Sequence, residues 1–199
     1  ESRQKFLTTF LKDKKQEEIS SGLKNTLACA DAYGEISGIC TPPKQQYYQF
    51  LWSLYGDQTK KLVSNENYLE TLAVNFSKIF CENLPPLINP KYKKFLLSLK
   101  ERNITTNILC NTGMVSSKDI KYALEFYGLS EIFDFQIFSD ENGFFKPNPK
   151  CFNSVLNHPL CSATTNTEIL HVGDNKITDV GGAENVGMKA LLFSPSNPN

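Results

Sequence analysis

The sequence predicts an α/β protein built on a doubly wound parallel sheet, with a small helical region before it. Two observations carry this prediction. Short apolar runs typical of strands recur through the second half of the chain, and segments with the helical spacing of apolar residues separate them. Several of these runs end in a turn with polar residues, at the edge where open α/β sheets bind ligands. The runs lie near residues 104–110, 135–138, 169–172 and 190–193.

The first part of the chain has a different pattern, with stripes of apolar side chains at helical spacing. The stripes comprise Phe6, Leu7, Phe10 and Leu11, then Tyr47, Phe50, Leu51, Leu54 and Tyr55, then Tyr68, Leu69, Leu72, Phe76, Ile79 and Phe80. The stripes predict a helical domain over residues 1–88. The strand-like runs that follow predict an α/β core domain over residues 89–199. Four aromatic side chains of this region either line a pocket or fill the core of the helical bundle: Tyr47, Tyr48, Trp52 and Tyr55.

The most informative stretch lies near the end of the chain. The apolar run from Ile169 to Val172 predicts a buried strand that ends at Gly173 and Asp174, and Asp179 follows five residues later. Two carboxylates at the carboxyl end of a parallel strand indicate a site for a hard cation such as Mg²⁺. A Gly-Asp turn that caps a helix is the alternative.

A lysine precedes this stretch on a turn that the sequence makes stiff. Lys146 is followed by Pro147 and Pro149, whose rings fix the backbone angle φ and which are tolerated at helix starts. The pattern indicates a lysine held in place rather than one on a free surface helix. The alternative is a surface lysine in a proline-rich turn.

The run that begins at Ile104 also ends in polar residues. It is rich in residues that favour strands and closes with Cys110, Asn111, Thr112 and Gly113. This predicts a strand followed by a turn at the ligand-binding edge of the sheet. Asn111 serves either the turn itself or a ligand.

The order of these motifs resembles the haloacid dehalogenase-like (HAD) superfamily. In that family an apolar strand ends in Ser or Thr, often followed by Asn. A lysine comes next, often in Lys-Pro-x-Pro, and then Gly-Asp with a further Asp, often leading into Gly-Ala-x-x-x-Gly-Met. The corresponding segments here are Cys110-Asn111, Lys146-Pro-Asn-Pro149, Gly173-Asp174 with Asp179, and Gly182-Ala-Glu-Asn-Val-Gly187-Met188. The resemblance covers about residues 86–194.

The resemblance implies a Mg²⁺-dependent phosphatase of small phosphorylated metabolites that works through an aspartyl phosphate. It implies that Asp174 and Asp179 serve the metal, and that Lys146 is the catalytic cation that neutralises the phosphoryl oxygens. It implies a helical cap at residues 1–88, which would close over the site. It also implies a phosphate-binding turn made of Cys110, Asn111, Thr112 and Gly113.

Two features depart from the family pattern. Cys110 stands where the family has a hydroxyl, and a thiol is a weaker hydrogen-bond donor. The family's first motif is an apolar strand ending in Asp-x-Asp, which supplies the nucleophile and the general acid, and this chain has no such segment. Asp13 follows a helical pattern, and Asp31 lacks a second Asp two positions on.

The missing motif has a structural consequence. In the family's sheet the first strand lies in the middle, between the strands that here end at Cys110 and Val172. Without it, backbone groups of both neighbours lack hydrogen-bond partners. We therefore expect either a gap between these two strands or a strand from elsewhere, supplied by an upstream segment or by a second chain. A degenerate family member with a rearranged sheet is the alternative.

The composition of the chain indicates which classes of partner and which cellular compartment to expect. The chain has 21 basic and 21 acidic residues, and a net charge of zero argues against a nucleic acid or an anionic membrane as partner. Six cysteines without a Cys-x-x-Cys pair, with only two histidines, argue against a zinc site. They indicate free thiols in a reducing, cytoplasmic environment. No apolar run approaches the length of a membrane span.

Three functions compete on the sequence alone. A phosphatase requires the Asp-x-Asp strand to be supplied. A haloacid dehalogenase attacks carbon and needs no metal, so the pair of Asp174 and Asp179 argues against it. A non-catalytic HAD-like binding or scaffold protein is consistent with Cys110 and with the missing nucleophile.

Overall fold

The computed structural model describes residues 2–65 and 67–194, with side chains from Lys5 onward. The first half of the chain is helical, as the sequence predicts. Its helices are α1 (Ser2–Phe10), α2 (Gln16–Ser37), α3 (Pro43–Tyr55), α4 (Gln58–Val63) and α5 (Asn67–Glu82).

The helix boundaries follow from local chemistry. The helix α2 ends at Gly38, which takes the left-handed conformation (φ +70°) that glycine adopts without steric cost. Pro42 and Pro43 open α3, where a missing N–H costs no helical hydrogen bond. The two ends fix the direction in which the chain leaves α2 and enters α3.

One hydrophobic cluster holds the helical half together. Its buried members are Leu7, Leu11, Ile19, Tyr47, Phe50, Leu51, Leu72, Phe76 and Met114. Met114 comes from the other half of the chain, and the Tyr47 hydroxyl donates a 2.6 Å hydrogen bond to its carbonyl oxygen. The helical half therefore packs directly against the loop that follows the strand ending at Cys110.

The second half alternates strands and helices. Its elements are α6 (Lys91–Glu101), β1 (Asn107–Cys110), α7 (Ser117–Phe126), β2 (Phe135–Phe138), α8 (Ser139–Asn142), α9 (Pro149–Leu156), β3 (Leu170–Gly173), α10 (Gly182–Asn185) and β4 (Lys189–Leu192). A second cluster forms its core, with Leu109, Cys151, Phe152, Val155, Cys161, Ala183 and Met188 buried.

The described strands form two parallel pairs. The strand β1 pairs with β2 so that Cys110 lies opposite Phe138, and β3 pairs with β4 so that Gly173 lies opposite Leu192. Within residues 2–65 and 67–194, β1 is not hydrogen bonded to β3. The predicted α/β class with parallel strands is confirmed.

The strand β3 differs from its prediction in one respect. The sequence predicts a buried strand over residues 169–172, whereas Leu170 and Val172 are 54% and 50% exposed. Leu170 and Val172 are two positions apart and therefore point to the same face of β3, and the described residues leave that face largely uncovered.

All six cysteines are free thiols, and Cys40, Cys151 and Cys161 are buried. No helix in the described part of the chain combines the length and the apolar character that a membrane span requires.

Candidate active site

A cavity of about 410 Å³ opens at the carboxyl ends of β1 and β3. Three separate segments meet there: the end of β1, the lysine turn and the loop after β3, with α2 along one side. The lining residues include Cys110, Asn111, Lys146, Asp174, Asp179, Asp31 and Glu35. The sheet edge that the sequence indicates is thus the place where most of the predicted site residues meet.

Lys146 lines this cavity and is 8% exposed. Its Nζ donates hydrogen bonds to the Oδ1 atom of Asp179 at 2.7 Å and to the carbonyl oxygen of Leu109 at 2.9 Å. A buried ammonium group is stable only when it is paired and hydrogen bonded, and both conditions are met here. The interpretation of Lys146 as a surface lysine is therefore wrong.

Asp179 is the buried partner of that lysine. Its Oδ1 atom also contacts His171 Nε2 at 3.1 Å, and its Oδ2 atom accepts a 3.0 Å hydrogen bond from the backbone N–H of Asn175. Burial raises the pKa of this carboxyl, but the hydrogen bonds from His171 and Lys146, with the lysine charge, outweigh burial and hold the pKa well below its ordinary value. Asp179 is therefore a carboxylate anion across the physiological pH range.

The glycine of the Gly-Asp motif makes room for this carboxylate. A Cβ atom placed on Gly173 would lie 2.2 Å from Cγ of Asp179, closer than two such atoms can approach. The π-helical turn Lys176–Gly181, capped by the Asn175 side chain, carries Asp179 back against the strand end. The five-residue spacing lets the turn bring Asp179 back to the strand end, and the absence of a side chain on Gly173 leaves the space that the Asp179 carboxylate fills.

Asp174 behaves differently from Asp179. It is exposed at the cavity, and its carboxylate forms no hydrogen bond or ion pair with the rest of the described chain. No three His, Cys, Asp or Glu side chains within the described ranges cluster closely enough to hold a metal ion. Since Mg²⁺ is usually held by one or two carboxylates with water completing the shell, Asp174 fits as one ligand of an otherwise incomplete site.

Cys110 ends β1 at the cavity wall and is partly buried. Burial raises the pKa of its thiol, and the nearby charge of Lys146 opposes this only in part. The thiol is therefore protonated at neutral pH. Its Sγ lies 3.4 Å from the carbonyl oxygen of Asn111, within reach of a weak hydrogen bond.

The other residues of the predicted phosphate-binding turn contact neighbouring segments of the protein. The Asn111 side chain faces the lysine turn and bonds to the backbone of Lys146. The backbone N–H of Thr112 donates to the hydroxyl of Ser139 at 2.8 Å. Gly113 lies against side chains of the helical half. The structure thus brings Cys110 and Asn111 to the cavity and turns Thr112 and Gly113 toward neighbouring elements.

Comparison with known proteins agrees with the motifs and with the fold. Residues 23–187 match the haloacid dehalogenase-like hydrolase family. The chain belongs to this family. The resemblance found in the motifs is confirmed, and the parallel strands with acidic residues at their carboxyl edge are those of a HAD-like core.

Curated relatives of this HAD-like chain include phosphatases. Glyceraldehyde 3-phosphate phosphatase of Pyrococcus furiosus is 33% identical over 104 residues, which are 52% of this chain and 41% of that protein. The 5-amino-6-(5-phospho-D-ribitylamino)uracil phosphatase YigB of Escherichia coli is 38% identical over 76 residues, 37% of this chain and 29% of that protein. The matched region thus spans less than half the length of these relatives.

Solved structures support the fold assignment. The HAD-hydrolase YfnB of Bacillus subtilis, in a magnesium-bound crystal form, superposes with a TM-score of 0.65 at 17% identity, over 100% of this chain and 81% of that chain. L-2-haloacid dehalogenase of Xanthobacter autotrophicus superposes with a TM-score of 0.55 at 22% identity, over 88% of this chain and 64% of that chain. At these identities the likeness establishes a HAD-like fold.

The sequence predictions gave no role in the HAD-like site to three residues that lie there. His171 lies on β3 and contacts Asp179; its place two residues before Gly173 is the signal that could have found it. Asp31 and Glu35 are four apart on α2, hence on one face of the helix, and both line the cavity. Burial, with a contribution from Glu35, raises the pKa of Asp31.

The helix α2 is joined to the lysine turn at its end. The carbonyl oxygen of Gly38 accepts hydrogen bonds from the backbone N–H of Phe145 at 3.0 Å and from Nδ2 of Asn148 at 3.1 Å. Gly34 lies so close to the Phe145 ring that a Cβ atom there would come within 2.5 Å of it. The helix that carries Asp31 into the cavity is thus fixed to the segment that carries Lys146.

Proposed function

We propose that this chain supplies most of the active site of a Mg²⁺-dependent phosphatase that acts on small phosphorylated metabolites. The observation that carries the proposal is the arrangement at the cavity. A buried, paired Lys146 lines it together with Asp174, whose carboxylate has no partner among the described residues. Curated relatives that bear phosphatase names favour the same reaction class.

Each residue has a distinct role in this proposal. Lys146 neutralises phosphoryl oxygens, and its hydrogen bonds to Leu109 and Asp179 fix its ammonium group before substrate arrives, so that little reorganisation is needed. Asp174 would be a ligand of Mg²⁺, and the bound ion would polarise the phosphoryl group. Asp179 holds Lys146 instead of binding the metal itself. Cys110 faces the phosphoryl group in place of the family's hydroxyl.

The nucleophile comes from a strand inserted between β1 and β3. Among the described residues, no strand pairs with the side of β1 that faces away from β2, and the Leu109 carbonyl oxygen accepts a hydrogen bond from Lys146. A parallel strand in this place would end beside Lys146 and Asp174. An Asp-x-Asp sequence at that end would supply the nucleophile and the general acid, either from an upstream segment or from a second chain.

The helices of residues 1–88 act as a cap in this proposal. The helix α2 already places Asp31 and Glu35 at the cavity, where they face the part of the substrate that leaves after phosphoryl transfer. The neutral net charge and the free cysteines are consistent with a cytoplasmic enzyme that takes small substrates rather than nucleic acid or membrane lipid.

The test restores the missing strand. An N-terminal extension made of an apolar strand ending in Asp-x-Asp and a flexible linker is compared with the same extension ending in Asn-x-Asn, and with the 199-residue chain alone. The Asp-x-Asp protein is expected to hydrolyse aryl phosphate and sugar phosphates when Mg²⁺ is present. The matched Asn-x-Asn protein and the chain alone are expected to show no more turnover than an Asp174→Asn variant.

Three outcomes would count against the proposal. Robust hydrolysis by the chain alone, lost on Asp174→Asn, would mean that a nucleophile is present within it. Amide protection of the added strand without any hydrolysis would favour a non-catalytic binding or scaffold protein. Release of halide from 2-chloropropionate without added metal would instead favour a dehalogenase.

Substituting Cys110 tests the thiol directly. The chain with the added Asp-x-Asp strand is called the strand-completed protein. In it, Cys110→Ser is expected to keep or raise kcat, because a hydroxyl donates a stronger hydrogen bond to a phosphoryl oxygen than a thiol does. Cys110→Ala, which has no donor, is the matched control and is expected to lower kcat. A loss of activity in the serine variant equal to that in the alanine variant would show that this side chain does not donate to the substrate.

A further inference from the structure

The Asn111 side chain holds the backbone of Lys146 from both sides. Its Oδ1 atom accepts a 2.8 Å hydrogen bond from the Lys146 N–H, and its Nδ2 atom donates a 3.2 Å hydrogen bond to the Lys146 carbonyl oxygen. The two residues are 35 positions apart in the chain. A carboxamide that matches the N–H and C=O of one residue reproduces the pattern by which a neighbouring strand would hold it.

The end of β1 therefore grips Lys146 at two points. Asn111 fixes the backbone of the lysine, and the carbonyl oxygen of Leu109 accepts a hydrogen bond from its Nζ. A lysine side chain has four rotatable bonds, so a fixed ammonium position requires that both ends of the chain be held. Pro147 and Pro149 stiffen the turn but offer no N–H for a strand-like bond.

We infer that Asn111 is a positioning residue, which sets the place of the Lys146 ammonium group by holding the lysine backbone. This replaces the role of phosphate ligand that the sequence suggests for Asn111. The inference rests on the proposed function only in that Lys146 is the cation that meets the phosphoryl group. The backbone clamp itself can be tested without any turnover.

The test without turnover uses the 199-residue chain and three variants. Asn111→Leu removes both hydrogen bonds, and Asn111→Asp keeps the acceptor for the Lys146 N–H but loses the donor. Asn166→Ala is the matched control, because Asn166 Nδ2 likewise donates to a backbone carbonyl, that of Val186, at 2.8 Å. Exchange of the Lys146 backbone amide is followed by NMR with ¹⁵N-lysine labelling, and acylation of Lys146 Nζ by an amine-reactive ester is followed by mass spectrometry.

In Asn111→Leu, both the amide exchange and the acylation of Lys146 are expected to speed up at least tenfold. In Asn111→Asp, amide exchange stays within about threefold of the parent while acylation rises, because the acceptor alone remains. The control leaves both rates unchanged. Rates within twofold of the parent in Asn111→Leu would overturn the inference. So would an equal acceleration of the slow amides of β3 and β4, which would mark a general loss of stability.

A second measurement uses the strand-completed protein. Asn111→Leu is expected to lower kcat at least tenfold while KM changes by less than threefold, because a displaced lysine weakens stabilisation of the transition state. A rise in KM with kcat unchanged would instead identify Asn111 as a contact for the bound phosphate and overturn the inference. If the strand-completed parent shows no activity, the proposed function fails, while the exchange and acylation results still decide the role of Asn111.

Discussion

Asp179→Asn is expected to lower the free energy of unfolding by about 3 kcal/mol at pH 7, the scale measured when one partner of a buried ion pair is removed. The substitution keeps the shape of the side chain but leaves the Lys146 ammonium group buried without a counter-charge. The exposed fractions of the two side chains are 10% for Lys146 and 6% for Asp179, so solvent cannot replace the lost partner. Urea denaturation followed by circular dichroism measures the change.

The same pair predicts how stability depends on pH. The pKa of Asp179 is lower in the folded state than in the unfolded chain, because Lys146 and His171 stabilise its charged form despite burial. Its contribution is therefore complete above the unfolded pKa of about 4 and is lost as pH falls toward the folded value. The difference in stability between the parent and Asp179→Asn should therefore shrink as pH falls below about 4.

Asp57→Asn is the matched control for these measurements. It also removes the partner of a lysine, since Asp57 Oδ1 lies 3.4 Å from Lys60 Nζ, but both side chains are largely exposed. The expected change is within about 0.5 kcal/mol, as for other surface pairs. An Asp179→Asn variant that lost no more stability than this control would contradict the conclusion that the buried pair is a structural requirement.

The two acids of the last motif show where sequence reasoning stops. The spacing of Asp174 and Asp179 after a strand suffices to place both at one cavity, and the structure confirms that placement. The spacing does not show which of the two carboxylates is left without a partner in the described part of the chain. That depends on Lys146, which comes from a segment far back in the chain, and on the direction in which the π-helical turn Lys176–Gly181 points Asp179.

The same limit applies to the other parts of the site. The strands, the stiff lysine turn and the position of Cys110 follow from local patterns of apolar residues and prolines, which act within a few residues. The partner of Asn111 and the approach of α2 to the cavity depend on packing between segments that are distant in sequence. Glu35 gives no local signal because an exposed acid on a helix usually serves solubility alone.

Asp174→Asn is expected to produce the opposite result to Asp179→Asn. Asp174 is exposed and forms no hydrogen bond or ion pair with the described part of the chain, so the free energy of unfolding should change by no more than about 0.5 kcal/mol. In the strand-completed protein, kcat should fall on the order of 100- to 1,000-fold, because a metal ligand is lost where charge develops in the transition state.

A measurement of Mg²⁺ binding distinguishes the loss of a metal ligand from a general loss of activity. Titration calorimetry with MgCl₂ is expected to show a site in the strand-completed protein that is lost in Asp174→Asn and kept in the surface control Asp57→Asn. Asp179→Asn tests the division of roles. If Asp179 holds Lys146 and does not bind the metal, an Asp179→Asn protein that remains folded should keep Mg²⁺ affinity while it loses turnover. Loss of Mg²⁺ binding in both Asp174→Asn and Asp179→Asn would show instead that the two carboxylates share the metal, as the spacing in the sequence first suggests.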